Sequence, residues 1–393
     1  MRLFVFVSPL LFAAALPAAD SQIAPALNGF TLDSYKRLSG NDGNLILSPF
    51  NIAAAISMTL AGARGKTAEE IRTVLHLRYA PAYDVALGAL LSDLKKAGNT
   101  GGNKLLTANA LWLQKGFTIL PEFQNALAKY HQAQPMSVDF AGAAESARSR
   151  INSWTEEQTK NRIKDLLPPG SLDARTRLVL TGAIYFFGKW QAPFLTSRTQ
   201  PAPFALASGT TTQADFMNQT SHFGYAEMPS CQILEMRYDG NGTAFDVLLP
   251  KTLDGLPDLE KSLTPERLTG WLGSVSRRKV QVSLPKFRAE SEFSVGGTLS
   301  AMGMPTAFTD QADFSGIAPG RGLAISRVAH KSIVDVSERG TEAAAASGVA
   351  ASFIALRVPE QPVIFRADHP FVFLIRDTRS GAILFIGRLA NPR

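Results

Sequence analysis

Cysteine is almost missing from this chain: Cys231 is the only one in 393 residues. That excludes an intrachain disulfide and a cysteine-built zinc cage, whatever the redox compartment. Histidine is nearly as scarce, with five residues, and no zinc-protease, nucleophile-elbow or dinucleotide-binding pattern occurs. Charge is sparse too, at 19% of residues, and the excess of 40 Lys+Arg over 33 Asp+Glu (+7) is spread along the chain. So even a balance favours acidic partners only weakly, and no nucleic-acid partner is expected. Beyond the N-terminus no window reaches the ~18 apolar residues of a spanning helix, so no membrane partner is expected.

What is present is apolar material for a core: 45% hydrophobic and 9% aromatic residues place the chain among folded globular proteins. The N-terminus, Met1-Arg2-Leu3-Phe4-Val5 and onward to Leu16, has a positive start, an apolar run and small residues at Ala18-Ala19. Pro9 and Pro17 interrupt it. These features predict a secretory signal peptide over residues 1–19, a mature chain from Asp20, and secretion to the extracellular space or periplasm.

Ser48-Pro49 ahead of Ile52–Leu60 predicts a helix, and Thr67-Ala68-Glu69-Glu70-Ile71 reads as a capping box opening another. Helical patterns dominate to about Leu167. From Leu178 the pattern turns to strands: Leu178–Leu180, Phe245–Leu249 and Val280–Leu284, with Pro and Gly between them. Helices first and strands later predict an α+β fold with antiparallel or mixed sheets. No long Gly/Ser/Pro linker divides the chain, so one domain over 20–393 is expected.

Few motifs suggest chemistry. Gly62-Ala63-Arg64-Gly65-Lys66-Thr67 resembles a phosphate-binding loop, but Leu60 stands where that loop needs glycine, and a helix precedes it; a helix-to-helix turn accounts for it. His330 has Ser326 and Asp335 nearby, yet no strained nucleophile turn accompanies them, which favours a hydrogen-bonded structural histidine. Arg277-Arg278-Lys279 would suit a polyanion, but a solvated strand end explains it better. Asn218 and Asn241 begin glycosylation acceptor triplets. One stretch is odd: Gly340 to Ser352 is nearly all small residues between two strand-like segments, without the large anchors of a core helix. It reads as an exposed linker or as a mobile strand whose residues are small because they slide between other strands.

Ordered blocks along the whole mature chain resemble the serpins, the serine-protease-inhibitor superfamily. They include Asn44-Leu45-Ile46-Leu47-Ser48-Pro49-Phe50, Leu60-Ala61-Gly62-Ala63-Arg64-Gly65-Lys66-Thr67, Ala183-Ile184-Tyr185-Phe186-Phe187-Gly188-Lys189-Trp190, Leu284-Pro285-Lys286-Phe287 and Phe365-Arg366-Ala367-Asp368-His369-Pro370-Phe371. The hinge-like Glu338, Gly340, Thr341, Glu342, Ala343, Ala344, Ala345, Ala346 and Ser347 are similar to those of inhibitory members. The resemblance implies three β-sheets, eight or nine helices and an exposed reactive loop at about 340–362. A serine protease attacks that loop as substrate and forms a covalent acyl-enzyme, and the loop's first arm then inserts into the main sheet. Counting from Glu338 as in inhibitory members puts the reactive bond at Ile354–Ala355, with Phe353, Leu356 and Arg357 as alternatives. Apolar Ile354 suits an elastase-, chymotrypsin- or subtilisin-like pocket.

Strand alternation puts Thr341, Ala343, Ala345 and Ser347 on the inward face of such an inserted arm, leaving Glu342 outward. That favours the inhibitory outcome, and with the resemblance the expectation is a monomer without cofactor, metal or catalysis of its own. The alternative is a non-inhibitory serpin serving as carrier, chaperone or storage protein. The resemblance also implies a polar cluster beneath the parting strands, made of Ser48, Asn51, Gly182, Trp190 and His330. Many relatives have asparagine where Gly182 stands and serine where Asn51 stands, so Asn51 is expected to replace the missing partner of His330.

Overall fold

The computed structural model describes residues 20–40, 43–77, 83–97, 103–240, 242–340 and 360–393. Nine α-helices are found among them: α1 (Asp20–Leu38), α2 (Pro49–Leu60), α3 (Gly65–Val74), α4 (Tyr83–Ala97), α5 (Pro121–Ala126), α6 (Phe140–Gln158), α7 (Leu256–Ser262), α8 (Pro265–Gly273) and α9 (Gly296–Met302). The strands are β1 (Leu45–Leu47), β2 (Lys104–Gln114), β3 (Met136–Val138), β4 (Leu178–Phe187), β5 (Gln200–Ala205), β6 (Thr211–Glu227), β7 (Cys231–Arg237), β8 (Thr243–Pro250), β9 (Ser276–Pro285), β10 (Phe287–Ser294), β11 (Ile325–Val336), β12 (Val363–Arg366), β13 (Phe371–Asp377) and β14 (Ile383–Leu389).

One sheet has five strands in the order β10-β11-β4-β2-β3. Its middle pair, β11 and β4, runs parallel, while β10 and β2 flank that pair antiparallel. Every residue of β4 is buried, because the sheet is covered on both faces. Leu178, Leu180, Ile184 and Phe186 enter the main core with α2, and Val179, Ala183, Tyr185 and Phe187 enter a second core with Phe140 and Ile151 of α6. The two-residue period of a strand distributes them so.

The other strands form one hydrogen-bonded set, β1-β14-β13-β8-β7-β6-β9-β12, with β5 on β6. The 17-residue β6 joins its two layers: it pairs with β5 and β9 over most of its length and with β7 only at Gly224–Glu227. The three expected sheets are therefore two ladders, because two of them share β6.

Ser48 caps α2, its Oγ accepting from the Asn51 N–H at 3.3 Å, and Pro49 takes the first turn. Two expectations need correction. Thr67 does not cap α3, which starts at Gly65 after Arg64; its Oγ1 instead accepts from the Asp313 N–H at 2.9 Å. The nominally helical half also contains β2, an 11-residue strand. Its Leu- and Ala-rich sequence suits a helix, but pairing with β4 from Lys104–Phe187 to Leu113–Leu178 overrides that propensity. The phosphate-loop lookalike is the α2-to-α3 turn, where a Cβ on Gly62 would lie 2.2 Å from the Ile317 side chain.

Candidate functional site

The parallel seam between β11 and β4 runs from Ile325–Leu178 to Val334–Phe186. Near its middle, Phe293, His330, Gly182 and Asn109 stand in one row across four strands. His330 is fully buried. Its Nε2 accepts from the Ser48 N–H at 3.1 Å, which leaves the proton on Nδ1 to donate to the Gly182 carbonyl at 2.9 Å. Burial pushes the His330 pKa down to about 4, with the Gly182 carbonyl opposing. The ring is neutral at physiological pH.

Ser48, Asn51, Gly182 and His330 lie side by side, but Asn51 does not partner His330. Its Nδ2 donates to Asn109 Oδ1 at 2.6 Å, and its Oδ1 is buried without a hydrogen bond. His330 needs no substitute partner because the main-chain carbonyl of Gly182 supplies one. The glycine makes room instead: a Cβ at 182 would lie 2.6 Å from Asn51 Oδ1. Trp190 is not in the cluster. Eight residues along an extended chain from Gly182 amount to about 26 Å, and Trp190 stacks on Tyr238 at the far end of the strand, centroids 4.5 Å apart.

Trp190 there packs beside the end of β11. Its indole N–H donates to the Ser337 carbonyl at 2.8 Å, and the Phe194 N–H to the Glu338 carbonyl at 2.9 Å. Ser337 and Gly340 bond each other's main chain in both directions, reversing the chain as it leaves β11. Gly340 has φ +92°, and a Cβ there would overlap the Gly188 carbonyl oxygen at 1.8 Å, so only glycine fits the turn. The Glu338 carboxylate accepts from Thr199 Oγ1 at 2.8 Å and pairs with Lys286 Nζ at 3.2 Å. Burial raises its pKa, but hydrogen bonds from its own backbone, Thr199 and Lys286 and the Lys286 charge bring it below the usual value.

Lys331, next to His330 but on the opposite face, pairs with Glu290 and Glu292 of β10, each at 3.3 Å, and donates to the Lys164 carbonyl at 3.0 Å. Asn109, Thr199 and Lys331 escaped the sequence reading, as did the pairing of Lys286 with Glu338. Asn109 left a trace as a polar residue between the alanines of β2, whereas Lys331 is one of several polar residues in β11 and left none. Among the described residues no side chain makes a triad with His330, whose ring bonds two main-chain groups; Ser326 Oγ instead accepts from the Arg177 N–H. The calls on Thr341, Glu342, Ala343, Ala344, Ala345, Ala346, Ser347, Phe353, Ile354, Ala355, Leu356 and Arg357 lie outside the described residues, as do residues 1–19 and Asn241.

Residues 25–392 match the family model "Serpin (serine protease inhibitor)". The chain is 40% identical to an uncharacterised serpin-like protein of Thermococcus kodakarensis, covering 95% of this chain and 87% of that one. It is 40% identical to the leukocyte elastase inhibitor of Bos taurus, over 94% of this chain and all of the relative. Among solved structures, Serpin48 of the insect Tenebrio molitor superposes with a TM-score of 0.84 at 34% identity, covering 96% of this chain and all of the other.

Proposed function

This chain belongs to the serpin family, and from that premise we propose that it is a secreted suicide inhibitor of serine proteases with an elastase-, chymotrypsin- or subtilisin-like pocket. The observation that carries the reading is the tight turn at Ser337–Gly340, where the chain leaves β11 beside a parallel seam and ahead, in sequence, of a run of small residues. The similarity to a leukocyte elastase inhibitor supports the pocket class, as does the apolar Phe353-Ile354-Ala355.

The protease serine attacks the Ile354 carbonyl, and the amine of Ala355 leaves. With the loop cut, its first arm is free to enter between β11 and β4, as serpin loops do, and the acyl-enzyme is carried along before water hydrolyses it. Small inward residues matter because a large or charged one would be buried without a partner. The arginine variant Ala343→Arg should therefore turn inhibitor into substrate, cut at the same bond but releasing active protease. Denaturing gels and the number of inhibitor molecules consumed per protease measure this. A wild type that yields no denaturant-stable complex with any such protease, and only cleaved chain, would hand the function to a carrier or storage role.

A further inference from the structure

Beside the loop's second leg the surface is basic. Strand β12 lies parallel to β9 with Val363 opposite Val280, so the chain ahead of β12 runs back toward the other end of β9. There Lys279 Nζ donates to the Glu360 carbonyl at 3.1 Å, and His222 pairs with the Glu360 carboxylate at 3.9 Å. The next residues of β9, Arg278 and Arg277, are exposed, and neither guanidinium bonds another described residue. Arg277 also borders a cleft of about 490 Å³ with His222, Gln191, Arg237 and Glu235. Glu235 brings no free negative charge to it: one oxygen accepts from Arg237 Nε at 3.0 Å and the other is held by Arg376, with the side chain 8% exposed. The Arg237 side chain, 57% exposed, and Arg277 face solvent around an opening whose carboxylate is already bound.

Chain length fixes how near this surface is to the target. Residues 355 and 360 are five apart, so Ala355 lies within about 18 Å of Glu360. A protease domain of about 220 residues is roughly 40 Å across. One seated on the Ile354–Ala355 bond therefore overhangs the Arg277–Lys279 strand end.

We infer that this strand end and cleft dock an acidic surface of the target protease, speeding its capture. The inference rests on the inhibitor reading and names which partners that site prefers. Complementary charge outside the reacting bond acts chiefly on association rate and its salt dependence, and leaves the later chemistry alone.

The test compares wild type, Arg277→Glu/Arg278→Glu and Arg277→Ala/Arg278→Ala, all full length, against a subtilisin-like protease of net negative charge and an elastase-like protease of net positive charge. Association rates are followed from low to high ionic strength, with and without heparin. For the acidic protease, the Glu variant should associate 10- to 100-fold more slowly at low salt and the Ala variant by an intermediate factor. The differences should shrink as salt rises, and the inhibitor consumed per protease should stay unchanged. Equal rates for all three proteins at low salt, with covalent complex still formed, would overturn the docking alone. A rate loss seen only with heparin present would assign the surface to a polyanion and overturn it likewise. Absence of complex from the wild type would overturn both this inference and the inhibitor reading.

Discussion

The two sides of β11 are held very differently. Toward β10 it is antiparallel, and Lys331 reaches across to both Glu290 and Glu292. Toward β4 it is parallel, a pairing slightly weaker per residue, and the polar cluster adds only the His330 bond to a main-chain carbonyl. Both flanks belong to one sheet, and the Lys331 ion pairs lie on the first. On the proposed mechanism this difference favours entry of a new strand between β11 and β4, with β10 staying tied to β11 through Lys331.

The largest effect expected is from filling that seam. Proteolytic cleavage of the loop should let its arm insert, adding about ten ladder hydrogen bonds at about 1 kcal/mol each. At about 2 °C per kcal/mol for a large domain, the melting temperature should rise by roughly 20 °C. Thermal melts before and after limited proteolysis measure it, and coincident melts would mean that the seam stays shut.

Acid should weaken the seam next. In the unfolded chain histidine titrates near its ordinary value of about 6.5, whereas His330 in the fold takes up a proton only near pH 4. The unfolded state therefore binds the proton first as pH falls. Stability from the neutral ring is complete above pH 6.5 and is lost between there and pH 4, by about 3 kcal/mol. Buried His131, also lowered to about 4, acts in the same direction, while Asp246, raised by burial to about 6 and opposed by Arg376, acts against them. Denaturant midpoints for wild type and His330→Gln across pH 7 to 4 isolate the seam's share; parallel curves would remove His330 from the account.

Steric fit at the same row gives a smaller effect. Gly182→Ala should cost about 2 kcal/mol through overpacking against Asn51, and Asn51→Ser should recover most of it, so the double mutant falls well short of the sum of the singles. Additive losses in denaturant unfolding would show that the two positions do not share the space. The smallest effect sharpens the comparison from its other side. Lys331→Met should cost about 1 kcal/mol, since Glu290 and Glu292 are partly exposed and water can take over the lost charge. Hydrogen exchange should then show β10 amides opening more often, with β4 amides unaltered; a change confined to β4 would reverse the assignment of the clamp.

Some of this was legible in the chain of letters. Ser48-Pro49 announced α2, and the apolar runs from Leu178, Phe245 and Val280 announced β4, β8 and β9, since capping chemistry and strand composition act locally. The small-residue run after Gly340 stood out for the same reason. By contrast, β2 was hidden because its residues suit a helix and only the length of β4 beside it makes them a strand. The Thr67 capping box failed because Asp313, distant in sequence, claims that hydroxyl.

The sequence by itself determined the family, the positions of α2, β4, β8 and β9 and the run of small residues after Gly340, because composition, caps and ordered motifs are properties of neighbours along the chain. Only the tertiary structure decided which groups hold the seam. His330 bonds Ser48 and the carbonyl of Gly182, Asn51 turns to Asn109, Trp190 packs beside the end of β11 instead of joining the cluster, and Lys331 ties β11 to β10. Those partners come from strands and helices far apart in the chain. A hydrogen bond to a main-chain carbonyl leaves no mark on residue identity, so no reading of side chains alone could assign it.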